Sequence, residues 1–274
     1  MADVQTPAED RASAKDDGQR HLRVVVTGAG NGIGAAIARR LAASGAAVVV
    51  NDLEADAVQR VADEIGGTAV AGDAGSEQGA ARLVARATEA LGEIDVWFGN
   101  AGVDRGHGLA ATEADWAASI QINVMAHVRA ARLLVPGWVA RGHGRYVVTA
   151  SAAGLLTMLG APVYSVTKHA AVAFAEWLSA MYRHRGVIVQ ALCPQGVQTR
   201  ILDAAGPYRD LLSHDGALTP QEVAEHVWEA LQDDRFLILP HPRVADYYAA
   251  RATDPDRWLA GMNALQRKVE QSGQ

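Results

Sequence analysis

Three side chains suited to proton chemistry lie close together in the sequence: Ser151, Tyr164 and Lys168. The stretch Tyr164-Ser165-Val166-Thr167-Lys168 reads as part of a helix, and residues four apart share a helix face. The phenol and the ammonium therefore project the same way. A phenol near pKa 10 is a poor base at neutral pH. A neighbouring positive charge stabilises the phenolate and brings it within reach of general acid/base work. Ser151 lies just past the apolar run Arg145–Thr149, where its hydroxyl can orient a carbonyl or alcohol oxygen. Each residue also has an ordinary reading when taken alone: Tyr-x-x-x-Lys arises by chance, and a serine after a strand is common turn chemistry.

A second constellation lies upstream. The apolar run Leu22–Val26 meets Thr27-Gly28-Ala29-Gly30-Asn31-Gly32-Ile33-Gly34, followed by the alanine-rich helical stretch Ala35–Ser44. Glycines let the backbone turn sharply and approach a ligand without a Cβ clash. The helix that follows offers free N–H groups and a positive dipole end to a pyrophosphate. Asp52 closes the next apolar run, at about the 20-residue spacing of a ribose-binding carboxylate. Such an acid accepts hydrogen bonds from a ribose 2′-hydroxyl and repels a 2′-phosphate. No Arg or Lys lies between Thr27 and Gly34 or directly after Asp52, so NAD is expected over NADP.

Alternating strands and helices must position these groups. Strands are predicted at Leu22–Val26, Ala47–Val50, Thr68–Ala71, Ile94–Phe98, Arg145–Thr149, Val187–Leu192 and Phe236–Leu239. Helices are predicted at Ala35–Ser44, Ala55–Ile65, Glu77–Leu91, Glu113–Ala140 (bent near Pro136), Val163–His184 and Pro220–Gln232. Fully apolar strands joined by helices imply an α/β, doubly wound, seven-stranded parallel sheet covered on both faces. The alternation runs unbroken, so residues 21–240 are expected to form one domain. Residues 1–20 are polar and read as a mobile tail, and residues 241–274 as a helical extension.

With these motifs in order, the sequence resembles the short-chain dehydrogenase/reductase family over about Leu22–Leu239. The resemblance rests on Thr27-Gly28-x-x-x-Gly32-x-Gly34, Asn100-Ala101-Gly102, Asn123, and Ser151 thirteen residues before Tyr164-x-x-x-Lys168. It implies a Rossmann-type fold and a catalytic set. Tyr164 would be the general acid/base, and Ser151 would hold the substrate oxygen. Lys168 would bind the nicotinamide ribose and depress the tyrosine pKa, and Asn123 would hold a relay water. It also implies cofactor contacts from Gly28, Asn31, Gly32, Ile33, Gly34, Asp52, Leu53, Asp73, Ala74, Asn100, Ala101 and Gly102, besides Tyr164 and Lys168. After the sixth strand, Pro194, Gly196, Val197 and Thr199 would line the nicotinamide. There the chain departs from the family's Pro-Gly-x-Val-x-Thr. It reads Pro194-Gln195-Gly196-Val197-Gln198-Thr199, and Gln195 is expected at the pocket wall.

The stretch Thr199–Leu218 has the length of a lid or a disordered segment, and the family resemblance implies that it closes over substrate. Its Ile201, Leu202, Tyr208, Leu211 and Leu212, with Leu155, Leu156, Met158 and Leu159, suggest an apolar secondary alcohol or ketone. Packing in the core is the competing reading for these leucines. A 3-oxoacyl thioester reductase and a non-catalytic NAD-binding regulator stand as alternatives. The family resemblance further implies a homo-oligomer, dimer or tetramer, paired through the two long helices.

Composition sets the outer bounds. The 274 residues carry 25 Lys+Arg and 31 Asp+Glu, a net charge of −6, which argues against a nucleic-acid partner. The single cysteine, Cys193, allows no intrachain disulfide and fits a reducing, cytoplasmic setting. No run approaches the roughly 20 apolar residues of a membrane span. The nine histidines show no metal-ligand spacing, and His169 beside Lys168 reads as a helix-surface residue.

Overall fold

Valine-rich strands with both faces apolar can be buried only between two helical layers, and that is how the chain is arranged. The computed structural model describes residues 22–272. The expected tail over residues 1–20 lies outside the described residues. In chain order the elements are β1 (Arg23–Thr27), α1 (Gly32–Ala43), β2 (Ala47–Asp52), α2 (Ala55–Ile65), β3 (Thr68–Ala71), α3 (Glu77–Leu91) and β4 (Val96–Gly99). Then follow α4 (Glu113–Ile120), α5 (Ala126–Arg141), β5 (Gly144–Thr149), α6 (Ala153–Leu156), α7 (Pro162–Tyr182) and β6 (Val187–Leu192). The chain continues with α8 (Arg200–Asp203), α9 (Arg209–Leu212), α10 (Pro220–Ala230), β7 (Leu237–Ile238), α11 (Arg243–Thr253) and α12 (Pro255–Ser272).

The seven strands form one sheet in the order β3-β2-β1-β4-β5-β6-β7, all pairs parallel. Side chains alternate across it as strand geometry requires. Val24, Val26, Val48, Val50 and Phe98 pack under α1, α2 and α10. Val25, Val49, Trp97, Tyr146 and Val148 pack under α3, α5 and α7. The order reverses between β1 and β4, which opens a crevice at the carboxyl ends of the strands.

Most boundaries shift by one to three residues from the sequence expectation, and four departures have a local reason. Helix α1 begins at Gly32, inside the glycine turn, because Gly34 packs against the Gly28 carbonyl and only a missing Cβ allows that approach. Strand β4 begins at Val96. The carboxylate of Asp95 just before it takes the Arg23 guanidinium at 2.7 and 2.8 Å and the Arg23 backbone N–H at 3.1 Å. The long helix departs from α geometry at a π turn, Gln121–Met125, not at Pro136, which lies within α5. Strand β7 has two residues, because β6 offers it only Ala191 and Leu192 as partners. No helix among the described residues is long and apolar enough to cross a membrane.

A Cβ at Gly34 would collide with the Gly28 carbonyl oxygen and the Asn100 side-chain amide. Gly34→Ala is therefore expected to destabilise the fold by roughly 1–3 kcal/mol, read as a lower urea midpoint. An unchanged midpoint would contradict the packing described.

Candidate active site

The first loop is built by Thr27, the last residue of β1. Its hydroxyl donates to the Phe98 carbonyl at 3.2 Å and accepts from the backbone N–H groups of Asn100 and Ala101 at 2.9 and 3.0 Å. The Asn100 side-chain amide returns to the carbonyls of Thr27 and Gly28 at 3.0 and 3.1 Å. Gly28 has φ +61°, and a Cβ there would sit 2.8 Å from the Ala101 Cα. These contacts set the two loops against each other at the mouth of the crevice. Asn100 is thus both a cavity-lining residue and a loop clamp.

A cavity of about 1320 Å³ runs along this edge. Of the predicted set, Gly28, Asn31, Gly32, Ile33, Asp52, Leu53, Asp73, Ala74, Asn100, Ala101, Gly102, Ser151, Tyr164, Lys168, Pro194, Gly196, Val197 and Thr199 line it, with Gly102 next to Lys168 and Gly32 next to Thr199. Gly34 and Asn123 are not among the lining residues. Gly34 acts one layer behind, by close packing. Asn123 is fully buried in the π turn and its side chain is committed to the protein. Its oxygen accepts from Val103 N–H at 2.9 Å, and its amide donates to the Val103 carbonyl at 2.9 Å and to Thr167 Oγ1 at 3.0 Å.

Ser151, Tyr164 and Lys168 are all buried. Ser151 Oγ accepts from Ala153 N–H at 3.1 Å and lies 3.4 Å from the Pro194 carbonyl. Lys168 Nζ donates to the Thr149 carbonyl at 2.8 Å and stands 5.5 Å from the Tyr164 ring centre. Burial pushes the Tyr164 phenol up to about 12, against the pull of its hydrogen bond with Ser151, and the Asp104 charge adds to the rise. Burial draws the Lys168 ammonium down to about 8. In the chain by itself desolvation is the largest influence on the phenol, and the Lys168 ammonium keeps donors beyond the one given to Thr149.

Dinucleotide chemistry fits the glycine turn and its neighbours. Helix α1 begins against the cavity, and Asn31 at its N-cap makes no side-chain cap bond, so first-turn N–H groups remain for an anion. Asp52 Oδ2 accepts from Gly30 N–H at 2.9 Å, and Oδ1 from Glu54 N–H at 3.3 Å. These bonds hold the carboxylate in place with lone pairs to spare for hydroxyls. Its lining neighbours are Leu53, Glu54, Gly72 and Asp73, and Arg200 pairs with Glu54 at 3.5 Å. Asp73 turns one oxygen to Gly75 N–H at 2.8 Å, just before the Ser76 cap of α3.

Gln195 lies on the wall, with Oε1 buried and without a hydrogen-bond partner among the described residues. Leu156, Met158, Leu159, Ile201, Leu202, Leu211 and Leu212 line the cavity, whereas Leu155 and Tyr208 do not. Leu155 belongs to the core, and the Tyr208 hydroxyl donates to Gln266 Oε1 at 3.1 Å. The outer wall is supplied by α11 and α12, through Tyr247, Trp258, Met262 and Leu265. The helical period of this extension is legible in the sequence, but not what its apolar face covers. His169 is half-buried, not on the surface. Its Nδ1–H donates to the Ser165 carbonyl at 2.9 Å, and Nε2 accepts from Arg251 of α11 at 3.1 Å. His127 and Asp104 also escaped the sequence reading. His127 is fully buried with both ring nitrogens unpartnered among the described residues, and burial holds it neutral, down to about 3. Burial raises the Asp104 carboxyl near Lys168. Cys193 is wholly buried, with its thiol pushed up to about 12, and is a packing residue.

Residues 23–209 match the short chain dehydrogenase family. A 1-deoxy-11-beta-hydroxypentalenate dehydrogenase of Streptomyces exfoliatus is 37% identical over 78% of this chain and 81% of that protein. A short-chain dehydrogenase/reductase of Burkholderia phymatum, solved with NAD, superposes with a TM-score of 0.80 at 30% identity, covering 86% of this chain and 94% of the other. An actinorhodin polyketide ketoreductase solved with NADPH gives a TM-score of 0.73 at 27% identity, over 80% and 95% of the two chains. The chain is an oxidoreductase, a member of the short-chain dehydrogenase/reductase family.

Proposed function

We propose that the protein interconverts an apolar secondary alcohol and its ketone with NAD(H), using Tyr164 as general acid/base. The observation that carries this reading is the shared cavity. Ser151, Tyr164 and Lys168 line the same cavity as the glycine turn and Asp52. A bound nicotinamide cofactor would supply the hydride acceptor or donor, and its oxidised ring a positive charge beside the phenol. Gly32 and Ile33 at the start of α1 would hold the pyrophosphate, and Asp52 the adenine ribose. Asp73 and Ala74 would face the adenine, and Val197 and Thr199 the carboxamide.

The chain's own residues handle the proton. The Ser151 hydroxyl exchanges its 3.4 Å contact with the Pro194 carbonyl for the substrate oxygen, at little cost because that contact is long. The Tyr164 hydroxyl, bonded to Ser151, takes the proton in oxidation and returns it in reduction. Its high pKa in the chain alone suits the acid role, and a positive charge brought alongside draws it toward the base role. Lys168, held by Thr149, offers its ammonium to ribose hydroxyls. Leu156, Met158, Leu211 and Leu212, with Trp258 and Met262, exclude water from the reacting centre and favour an apolar body. The Streptomyces relative is named for a hydroxypentalenate, which supports an alcohol as the donor.

A panel of apolar secondary alcohols and ketones, followed by NADH absorbance, tests the reaction. Tyr164→Phe is expected to lower kcat by about a hundredfold or more while NADH still binds. Substantial residual turnover would remove Tyr164 from its role. Asp52→Ala should cut the preference for NAD over NADP by roughly tenfold, measured as the ratio of the two kcat/KM values. An unchanged ratio would refute the cofactor assignment. We also propose a homo-oligomer joined through α5 and α7. Leu133, Trp177 and Met181 on these helices are 44%, 52% and 47% exposed, and a groove lined by Val135, Val139 and Phe174 runs between them. Light scattering after gel filtration should give two or four times the chain mass, and a monomer at all concentrations would exclude it.

A further inference from the structure

Behind the cavity wall, past the end of β7, stands a histidine that the reaction does not use. His241 is 3% exposed, and both of its ring nitrogens are engaged. Gln195 N–H donates to Nδ1 at 3.2 Å, and Nε2 lies 3.1 Å from the Gly216 carbonyl. A carbonyl can only accept, and an N–H can only donate. The ring is therefore the neutral tautomer with its proton on Nε2, donating to Gly216 and accepting from Gln195. Protonation at Nδ1 would end the second bond. Burial lowers the imidazole pKa, the backbone at Gly216 and Gly196 and then the Asp215 charge oppose that, and His226 of α10 adds slightly to the lowering.

The two segments that this ring joins both line the cavity. Pro194–Gly196 carries the carbonyl that contacts Ser151 and accepts from Ala152 N–H at 2.8 Å. The other segment is the far end of Thr199–Leu218. It already meets the first through Leu218 N–H to the Gly196 carbonyl at 3.0 Å and Gln198 N–H to the Leu218 carbonyl at 2.9 Å. These bonds leave Gln195 N–H and the Gly216 carbonyl over, and one imidazole takes both. At Gln195, the family's glycine position, the chain presents a side chain toward the cavity and its backbone toward His241.

We propose that His241 is a positioning residue that clamps the nicotinamide-facing loop to the end of the substrate-covering segment, one nitrogen to each. It thereby sets cofactor affinity with Nδ1 and closure of the cavity with Nε2. The inference rests on the reading of this cavity as a nicotinamide-cofactor site.

The two arms separate by substitution in the full-length chain. The Asn oxygen stands where Nδ1 does, and the Gln amide nitrogen where Nε2 does. NADH binding is measured by fluorescence titration. Closure is measured without cofactor, as the rate of tryptic cleavage after Arg200 and Arg209 in the covering segment, with melting temperature recorded alongside. His241→Ala should weaken NADH by roughly tenfold and speed cleavage severalfold. His241→Asn should keep NADH affinity but cleave fast, and His241→Gln should resist cleavage but bind NADH weakly. Two results overturn the clamp: His241→Ala within twofold of wild type in both measurements, or both amide variants as impaired as His241→Ala. A wild-type chain that binds neither NADH nor NADPH would instead refute the cofactor reading, and the cleavage comparison would still decide the Nε2 arm.

Discussion

The hydroxyl of Thr27 is the contact on which the site depends. It ends β1 at the point where the strand order reverses, and it uses its donor and both acceptor positions to join β1 to the loop after β4. The Asn100 amide closes the same junction from the other side. Without it, the glycine turn and the Asn100–Gly102 loop would be free to separate, and the crevice of an open parallel sheet would lose its floor. Gly28 and Gly34 serve the same junction from the steric side, since any Cβ there meets backbone. The anion-binding end of α1 and the carboxylate of Asp52 are then aimed into one space.

The proton-handling part of the cavity is organised by burial. Lys168 and Tyr164 are held in surroundings that disfavour both of their charged forms, so the phenol rises and the ammonium falls. That poise is costly for an isolated protein and useful for an enzyme, because a charge arriving at the site acts on groups already displaced from their ordinary values. The hydrogen bond from Lys168 to the Thr149 carbonyl and the two-way clasp of Asn123 on Val103 keep the geometry while the charge balance changes. The π turn at Gln121–Met125 lets Asn123 face inward in a helix whose regular pitch would place it elsewhere.

The walls come from three distant segments: the loop after β6, the covering segment before α10, and the C-terminal pair α11–α12. Their cohesion is polar, through His241 and the bond from Tyr247 to Asp215, and Arg251 ties α11 to His169 of α7. Their inner surface is largely apolar. A wall built this way leaves α12 free to vary without disturbing Ser151, just past β5, or Tyr164 and Lys168 on α7.

The sequence by itself determined the alternation of strands and helices, the parallel sheet and the identity of the residues at its carboxyl edge. Those features are local: apolar runs, glycine clusters and a four-residue spacing on one helix face are visible without folding the chain. Asn123 was legible as a motif residue, but not its full commitment to Val103 and Thr167. The shifted pKa values of Tyr164 and Lys168, the neutral buried His127, the half-buried bridge at His169 and the clamp at His241 were not legible. Each depends on desolvation or on partners 20 to 82 residues away in the chain. The same holds for the outer wall of the cavity. The period of α12 shows in the sequence that it has an apolar face, but only tertiary packing decides that this face closes over the site.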